Sequence, residues 1–179
     1  MRCFLGISPP AHVATRLAEI AEGCPLGRPV PEENIHATLC FLDDVPHETM
    51  EELDDALTGL RAASLDLRVE GLGAFGGGHG PRALYAHVPA EPGLTELNKR
   101  VRAKARGVGI NLRHKQFVPH ITLVRFRHGT EETPEFQRFV GAHAGLALGP
   151  IRVTSYALFA SHLGKGGAQY EELARYPLT

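Results

Sequence analysis

The spacing of apolar and polar residues divides the chain into short strands and amphipathic helices. Residues 2–8 are mostly apolar over the length of a strand, and Pro9 and Pro10 then open a helix, where proline is tolerated. Apolar residues recur at helical spacing after Pro46, after Pro92 and across 132–143. This order of elements predicts an α+β protein. The other predicted strands are 36–42, 65–75, 82–88, the segment around His120, 151–160 and 169–173.

The second half of the chain repeats the order of the first, β-α-β-α-β. The opening strands begin at Arg2 and Arg82, which are 82 − 2 = 80 residues apart, and the phrases His-Ala-Thr-Leu and His-Ile-Thr-Leu begin at 36 and 120, which are 120 − 36 = 84 apart. We therefore expect a bilobal single domain, 1–179, with lobes of about 1–80 and 81–179 related by a pseudo-two-fold axis. Terminal strands can exchange between such lobes. Two antiparallel sheets should line a central cleft, with the helices outside and both His-x-Thr strands central.

The repeated phrase carries candidate chemistry. Residues two apart on a strand share a face, so each copy presents an imidazole beside a hydroxyl and turns its apolar pair into the opposite layer. Histidine titrates near pH ~6.5, so His36 and His120 can together take a proton from water and give one to a leaving oxygen. Thr38 and Thr122 can bind the non-bridging oxygens of a phosphate. One histidine on a strand is most often structural, but two in matched strands favour acid–base chemistry on a phosphodiester.

Composition narrows the class of protein. The net charge of −1 does not indicate a broadly basic surface that binds duplex nucleic acid, while a small nucleotide or an RNA end needs only a local positive cleft. No apolar run reaches about 18 residues, and the short N-terminal one stops at the proline pair, so we expect neither a membrane span nor a signal peptide. Cys3, Cys24 and Cys40 lack paired spacing, which indicates reduced thiols and a cytoplasmic protein. We expect no metal or other cofactor, because no further ligands accompany the histidines. We also expect a monomer, because nothing in the sequence demands a dimer.

Five separated segments resemble, in order, the 2H phosphoesterase superfamily, which is named after two H-x-[ST]-x motifs. Within it they are most similar to the RNA 2′,3′-cyclic phosphodiesterases, once called 2′-5′ RNA ligases. The segments are 2–7, 33–42, 81–85, 117–125 and 161–173.

This resemblance implies metal-independent hydrolysis of an RNA 2′,3′-cyclic phosphate to a 2′-phosphate, with a reverse reaction that joins the cyclic end to a 5′-hydroxyl. The partner is then an RNA 3′ end or a nucleotide cyclic phosphate. The resemblance assigns His36 and His120 as the acid–base pair, without saying which is the acid, and Thr38 and Thr122 as phosphate ligands.

Arg125 follows the second motif, and the resemblance implies a phosphate contact for it. Strict alternation argues against that role, because it turns Arg125 away from His120 and Thr122 unless a bulge or the strand end redirects it. Alternation likewise assigns Phe41 to the core, although Phe41 or Phe126 can in principle stack on a base.

Several loop residues are weaker candidates. The glycine-rich segments 76–80 and 164–167, the second with Lys165, are predicted to be turns rather than phosphate-binding loops. His114 and Lys115 can meet RNA phosphates beyond the reacting one, but a solvated loop is favoured.

Two alternatives remain open from the sequence. The same site can act on a small cyclic nucleotide or an ADP-ribose cyclic phosphate, a choice that the loops decide. The chain can also be a non-catalytic module that binds RNA ends, although such a module has no need of two titrating histidines.

Overall fold

The computed structural model describes residues 1–78, 80–164 and 167–179 and confirms the α+β class. The strands are β1 (Arg2–Ile7), β2 (Arg28–Pro29), β3 (Ala37–Asp44), β4 (Leu65–Glu70), β5 (Leu72–Gly77), β6 (Gly80–His87), β7 (His120–Arg125), β8 (Ala147–Val153), β9 (Ser155–Gly164) and β10 (Gly167–Pro177). The helices are α1 (Ala11–Glu22), α2 (His47–Thr58), α3 (Pro92–Gly107) and α4 (Pro134–Ala142), with a short 3₁₀ turn at Glu32–Asn34.

The large antiparallel sheet joins the two halves of the chain. Its strand order is β10-β9-β1-β3-β7-β6-β5, with β2 also paired to β7, while β4 and β8 form a separate two-stranded sheet. The β3 strand, which begins one residue after His36, and the β7 strand, which begins at His120, are central as predicted. They share a single residue pair, Ala37 opposite Ile121, and diverge beyond it. The C-terminal strands β9 and β10 extend the side of the sheet that begins with β1.

The helices bury the faces that their periodicity predicts. In α1 the buried positions include Val13, Leu17 and Ile20, and in α3 they include Leu94 and Val101. These side chains and the inward face of the sheet form one continuous apolar core. Burying such side chains is the main favourable contribution to folding, at roughly 1.5–3 kcal/mol for each large aliphatic residue.

Two predicted strands are each divided in the structure. Segment 65–75 forms β4 and β5 in different sheets, because Gly71 between them adopts φ +72°, a left-handed conformation that glycine tolerates. Segment 151–160 forms β8 and β9, separated at Thr154, whose carbonyl accepts a hydrogen bond from the Leu178 amide at 2.7 Å. Within the described residues, no helix combines the length and the apolar content that crossing a membrane requires. All three cysteines are free thiols.

Candidate active site

Register places the four predicted site residues on one face of the sheet. Ala37 and Ile121 are directly paired, so their side chains point the same way, and both are buried in the core. Their neighbours His36, Thr38 and Thr122 therefore point to the opposite face, as does His120. Continued from that pair, the antiparallel register places His36 across from Thr122 and Thr38 across from His120.

The two imidazoles are oriented by equivalent hydrogen bonds. His36 Nδ1 lies 2.7 Å from the carbonyl of Asn34, and His120 Nδ1 lies 2.7 Å from the carbonyl of Val118, in each case two residues earlier in the chain. A carbonyl only accepts, so each Nδ1 carries the proton and each Nε2 is the free base in the neutral ring. The Thr38 hydroxyl, 2.9 Å away, donates to His36 Nε2. Both rings thus present the same nitrogen for chemistry.

Two buried asparagines hold the first motif in place. Asn34 Nδ2 donates to the carbonyl of Ala168 on β10 at 2.7 Å, which ties the turn before His36 to the edge of the sheet. Asn98 Nδ2, on α3, donates to the carbonyl of Leu39 at 2.6 Å. The backbone on both sides of His36 is therefore fixed from distant parts of the chain.

Aromatic rings surround each histidine, a feature that the sequence interpretation missed. The Phe4 ring stacks on His36 at 4.6 Å between centroids, and Tyr170 meets the same ring edge-on at 5.2 Å. On the other side, Phe75 meets His120 edge-on at 4.7 Å and Tyr85 at 5.5 Å. These contacts reduce the solvation of both imidazoles.

The environment lowers the pKa of both histidines. Burial lowers the pKa of His36 to about 4; the hydrogen bond to Asn34 opposes this effect, and the charges of Arg125 and His120 add to it. Burial also lowers the pKa of His120, against the hydrogen bond to Val118, and Arg125 again adds to the shift. Both shifts favour the neutral ring, and the Arg125 guanidinium is close enough to act on both.

A bulge explains how Arg125 reaches the histidines. Tyr85 pairs with Thr122 and Leu84 with Val124, so Leu123 is an extra residue on β7. Leu123 and Val124 are both fully buried, and alternation resumes with Arg125 on the face of His120. The argument from strict alternation is therefore wrong at this position, and the redirecting bulge is present.

The first motif contains a bulge at the same place. Gly6 pairs with Thr38 and Leu5 with Cys40, so Leu39 is the extra residue on β3. Phe41, the fifth residue after the motif histidine, then turns away from the core and is 61% exposed. The prediction that Phe41 packs in the core is wrong for this reason. Phe41 and Arg125 occupy equivalent positions in the two halves of the chain.

A cavity of about 600 Å³ lies beside His120, between β3 and the segment that leads into β7. His120 and Thr38 contribute to its lining, and segment 113–118, the irregular connection before β7, forms part of its wall. Its aromatic lining consists of Phe41, Phe75 and Phe117. Its charged lining consists of Arg2, Arg102, Arg113, Lys115 and Asp43.

A smaller cavity of about 80 Å³ lies on the other side of the site. Arg125 contributes to it together with Asn34 and Tyr170, which contact His36, and Arg28 stands directly opposite Arg125 on β2. Like charges in direct opposition are unfavourable in a sheet unless an anion or solvent compensates them. The side of the site nearer His36 is therefore small and strongly cationic.

The weaker candidates separate in the structure. Phe126 meets Phe136 edge-on at 5.5 Å and packs against the core rather than the cavity. Lys115 lines the large cavity, whereas His114 is absent from its lining. His79 and Lys165, from the two glycine-rich segments, lie outside the described residues.

Cys40 lines the large cavity as a protonated thiol. Burial raises the pKa of Cys40 to about 11, in spite of the opposing charges of Arg102 and Arg106. Across 1–78, 80–164 and 167–179, no three His, Cys, Asp or Glu side chains converge in the manner of metal ligands.

Comparison with known proteins identifies the family. The sequence pattern of the LigT-like phosphoesterases matches residues 7–85 and 87–170, which together make up most of the chain. The chain belongs to the LigT-like phosphoesterase family. The predicted membership of the 2H phosphoesterases is thereby confirmed, and a match in each half agrees with a duplicated unit.

Two relatives of this LigT-like phosphoesterase match most of its chain. Proteins named RNA 2′,3′-cyclic phosphodiesterase are 29% identical over 182 residues in Escherichia coli, covering 99% of this chain and 97% of theirs, and 34% identical over 152 residues in Geobacillus stearothermophilus. The second match covers 83% of this chain and 47% of the relative, so it spans about half of that protein.

Solved structures show the same architecture. A crystal structure from Thermus thermophilus superposes with a TM-score of 0.83 at 28% identity, covering 99% of this chain and 98% of that one. The E. coli LigT structure complexed with 3′-AMP gives a TM-score of 0.79 at 27% identity, with the same coverage.

Proposed function

We propose that this LigT-like phosphoesterase opens the 2′,3′-cyclic phosphate at an RNA 3′ end to leave a 2′-phosphate. The main support for this proposal is that two imidazoles, held by equivalent hydrogen bonds, share one face of the sheet with two threonines and Arg125. The names of its relatives support the substrate class. These two lines of support are independent of each other, since one is the geometry of the site and the other is sequence similarity.

In the proposed reaction, one imidazole takes a proton from water through Nε2 as the water oxygen bonds to phosphorus. The bond between phosphorus and O3′ breaks, and O3′ receives the Nε2 proton of the other imidazole. Thr38, Thr122 and the Arg125 guanidinium hold the non-bridging oxygens, whose charge grows in the transition state. The donating ring must be protonated beforehand, and a bound phosphate anion favours that form.

The same geometry supports the ligation reaction. A 5′-hydroxyl takes the place of the attacking water, loses its proton to one imidazole and bonds to phosphorus, while O3′ leaves with a proton from the other. The phosphorus stays on O2′, so the result is a 2′-5′ bond. Hydrolysis is the direction favoured in dilute solution, because water is in large excess.

The deciding experiment supplies an RNA that ends in a 2′,3′-cyclic phosphate and identifies which hydroxyl keeps the phosphorus. We expect a 2′-phosphate, formed at the same rate in excess EDTA, because the scheme assigns the proton and charge work to side chains. A 3′-phosphate product would contradict the proposed leaving group. Loss of activity in EDTA, restored by a divalent ion, would contradict the two-histidine mechanism.

A further inference from the structure

We infer that the large cavity binds the RNA strand 5′ of the reacting end, with Arg2 and Lys115 contacting its backbone phosphates. This inference rests on the proposed function and deepens it. It states that the substrate is an oligonucleotide rather than a cyclic mononucleotide.

The large cavity carries an excess of positive charge although the chain as a whole does not. Four cationic side chains and one carboxylate line it, whereas the whole chain has a net charge of −1. Arg113 pairs with that carboxylate, since its Nε lies 3.1 Å from Asp43 Oδ2, and Arg102 donates to the Arg113 carbonyl at 2.9 Å. In the described parts of the chain, Arg2 and Lys115 make no ion pair. These two cations therefore remain available to an anionic ligand.

Arg2 is too far from the histidines to serve the reacting phosphate. Gly6 pairs with Thr38 at the level of the site, and Arg2 lies four residues further along β1. At about 3.3 Å per residue, the separation along the strand is about 13 Å. An anion that meets Arg2 is thus a different phosphate from the one that reacts.

The aromatic lining fits a single strand rather than a duplex. Phe41, Phe75 and Phe117 line the same cavity as these cations; Phe41 is exposed, and Phe75 and Phe117 are partly buried. An exposed ring such as Phe41 beside cations is the combination with which proteins bind unpaired bases and their backbone, since bases stack while phosphates pair with Lys and Arg. The cavity that Arg125 lines measures about 80 Å³, so the large cavity offers the strand more room.

The test compares two substrates with the same reactive end, uridine 2′,3′-cyclic phosphate and a tri-uridylate that ends in the same group. We expect the wild-type kcat/KM to be at least about tenfold higher for the trinucleotide. The logarithm of that ratio should fall with the logarithm of salt concentration, at a slope of about −0.7 for each added phosphate contact. Arg2→Gln and Lys115→Gln should each lower the ratio and flatten its slope by about 0.7.

Lys99→Gln is the matched control, because Lys99 is exposed on α3, outside the cavity lining, and loses the same charge. It should keep the wild-type ratio. Equal kcat/KM for both substrates would overturn the inference while leaving the proposed function intact, and inactivity on both would instead refute the proposed function. A high ratio that neither cavity variant changes would also overturn the assignment of Arg2 and Lys115.

Discussion

The two histidine motifs have the same backbone design and different surroundings. Each imidazole bonds through Nδ1 to a carbonyl two residues earlier, and each strand has a bulge at the leucine of the motif. His36, however, is enclosed between Phe4 and Tyr170 and bonded to its own threonine, while His120 opens onto the large cavity. The two halves of the chain thus hold the motif histidine in the same way and differ in what each ring faces.

The residues that follow the bulges show the same divergence. The equivalent position carries an aromatic ring in the first half, Phe41, and a cation in the second, Arg125. Phe41 lines the large cavity and Arg125 the small one. A pseudo-symmetric cleft selects a single orientation of an asymmetric substrate only when its two sides differ. Phe41 and Arg125 provide such a difference, because an aromatic ring suits a base and a cation suits a phosphate.

The largest expected effect tests whether the two rings are equally necessary. We expect His36→Ala and His120→Ala each to lower kcat by at least about 100-fold, because each removes one proton transfer. His12→Ala, at an exposed histidine on α1, is the control and should keep full activity. Thermal unfolding should show that all three variants are folded at the assay temperature. A variant at either motif with near-normal kcat removes that histidine from the mechanism.

The second effect concerns Arg125, whose charge lowers the pKa of both histidines. In Arg125→Gln the pKa values of both histidines rise, so both limbs of the kcat/KM profile move to higher pH. The acid limb is where the base becomes protonated, and the alkaline limb is where the acid loses its proton. The lost charge-assisted contact to phosphate should lower kcat/KM roughly 10- to 100-fold. Arg127→Gln, exposed two residues later, should change neither. If neither limb moves in Arg125→Gln, the charge of Arg125 does not set the pKa of either histidine.

The free energy of unfolding should depend on pH through the same lowered pKa of His36. The pKa of His36 in the folded protein, about 4, is below its ordinary value of 6.5, so folding favours the neutral ring. The stability that depends on this neutral form is complete above about pH 6.5 and is lost as the pH falls towards 4. Thermal unfolding of Arg125→Gln across this range should show a smaller loss than the wild type does.

The sequence alone predicts the parts of this molecule in which apolar and polar residues follow one regular repeat. The apolar faces of α1 and α3 follow a helical repeat, and the four His and Thr positions follow from one repeated phrase on strands. Their placement on a common face is visible in the structure, while their catalytic roles stay predictions. The helices and the motif strands are thus readable from local pattern.

What the sequence did not predict depends on irregular or distant pairing. An extra residue at Leu39 or Leu123 reverses the alternation beyond it, and neither position has a glycine or proline to signal a bulge. Phe75 and Tyr85 reach His120 only because β5, β6 and β7 pair side by side. Such contacts arise from tertiary structure, which overrides the period of any one segment.

The smallest effect tests the aromatic half of the comparison. If Phe41 stacks on the terminal base, Phe41→Ala should raise KM about tenfold with kcat nearly unchanged, since stacking is worth roughly 1–3 kcal/mol and an exposed ring lies at the low end. Its 61% exposure means that thermal stability should hardly change. Phe126→Ala should do the reverse, lowering thermal stability through lost packing against Phe136 while KM stays normal. The same loss of stability in both variants, with KM unaffected, would return Phe41 to a structural role and leave Arg125 as the only functional difference between the two motifs.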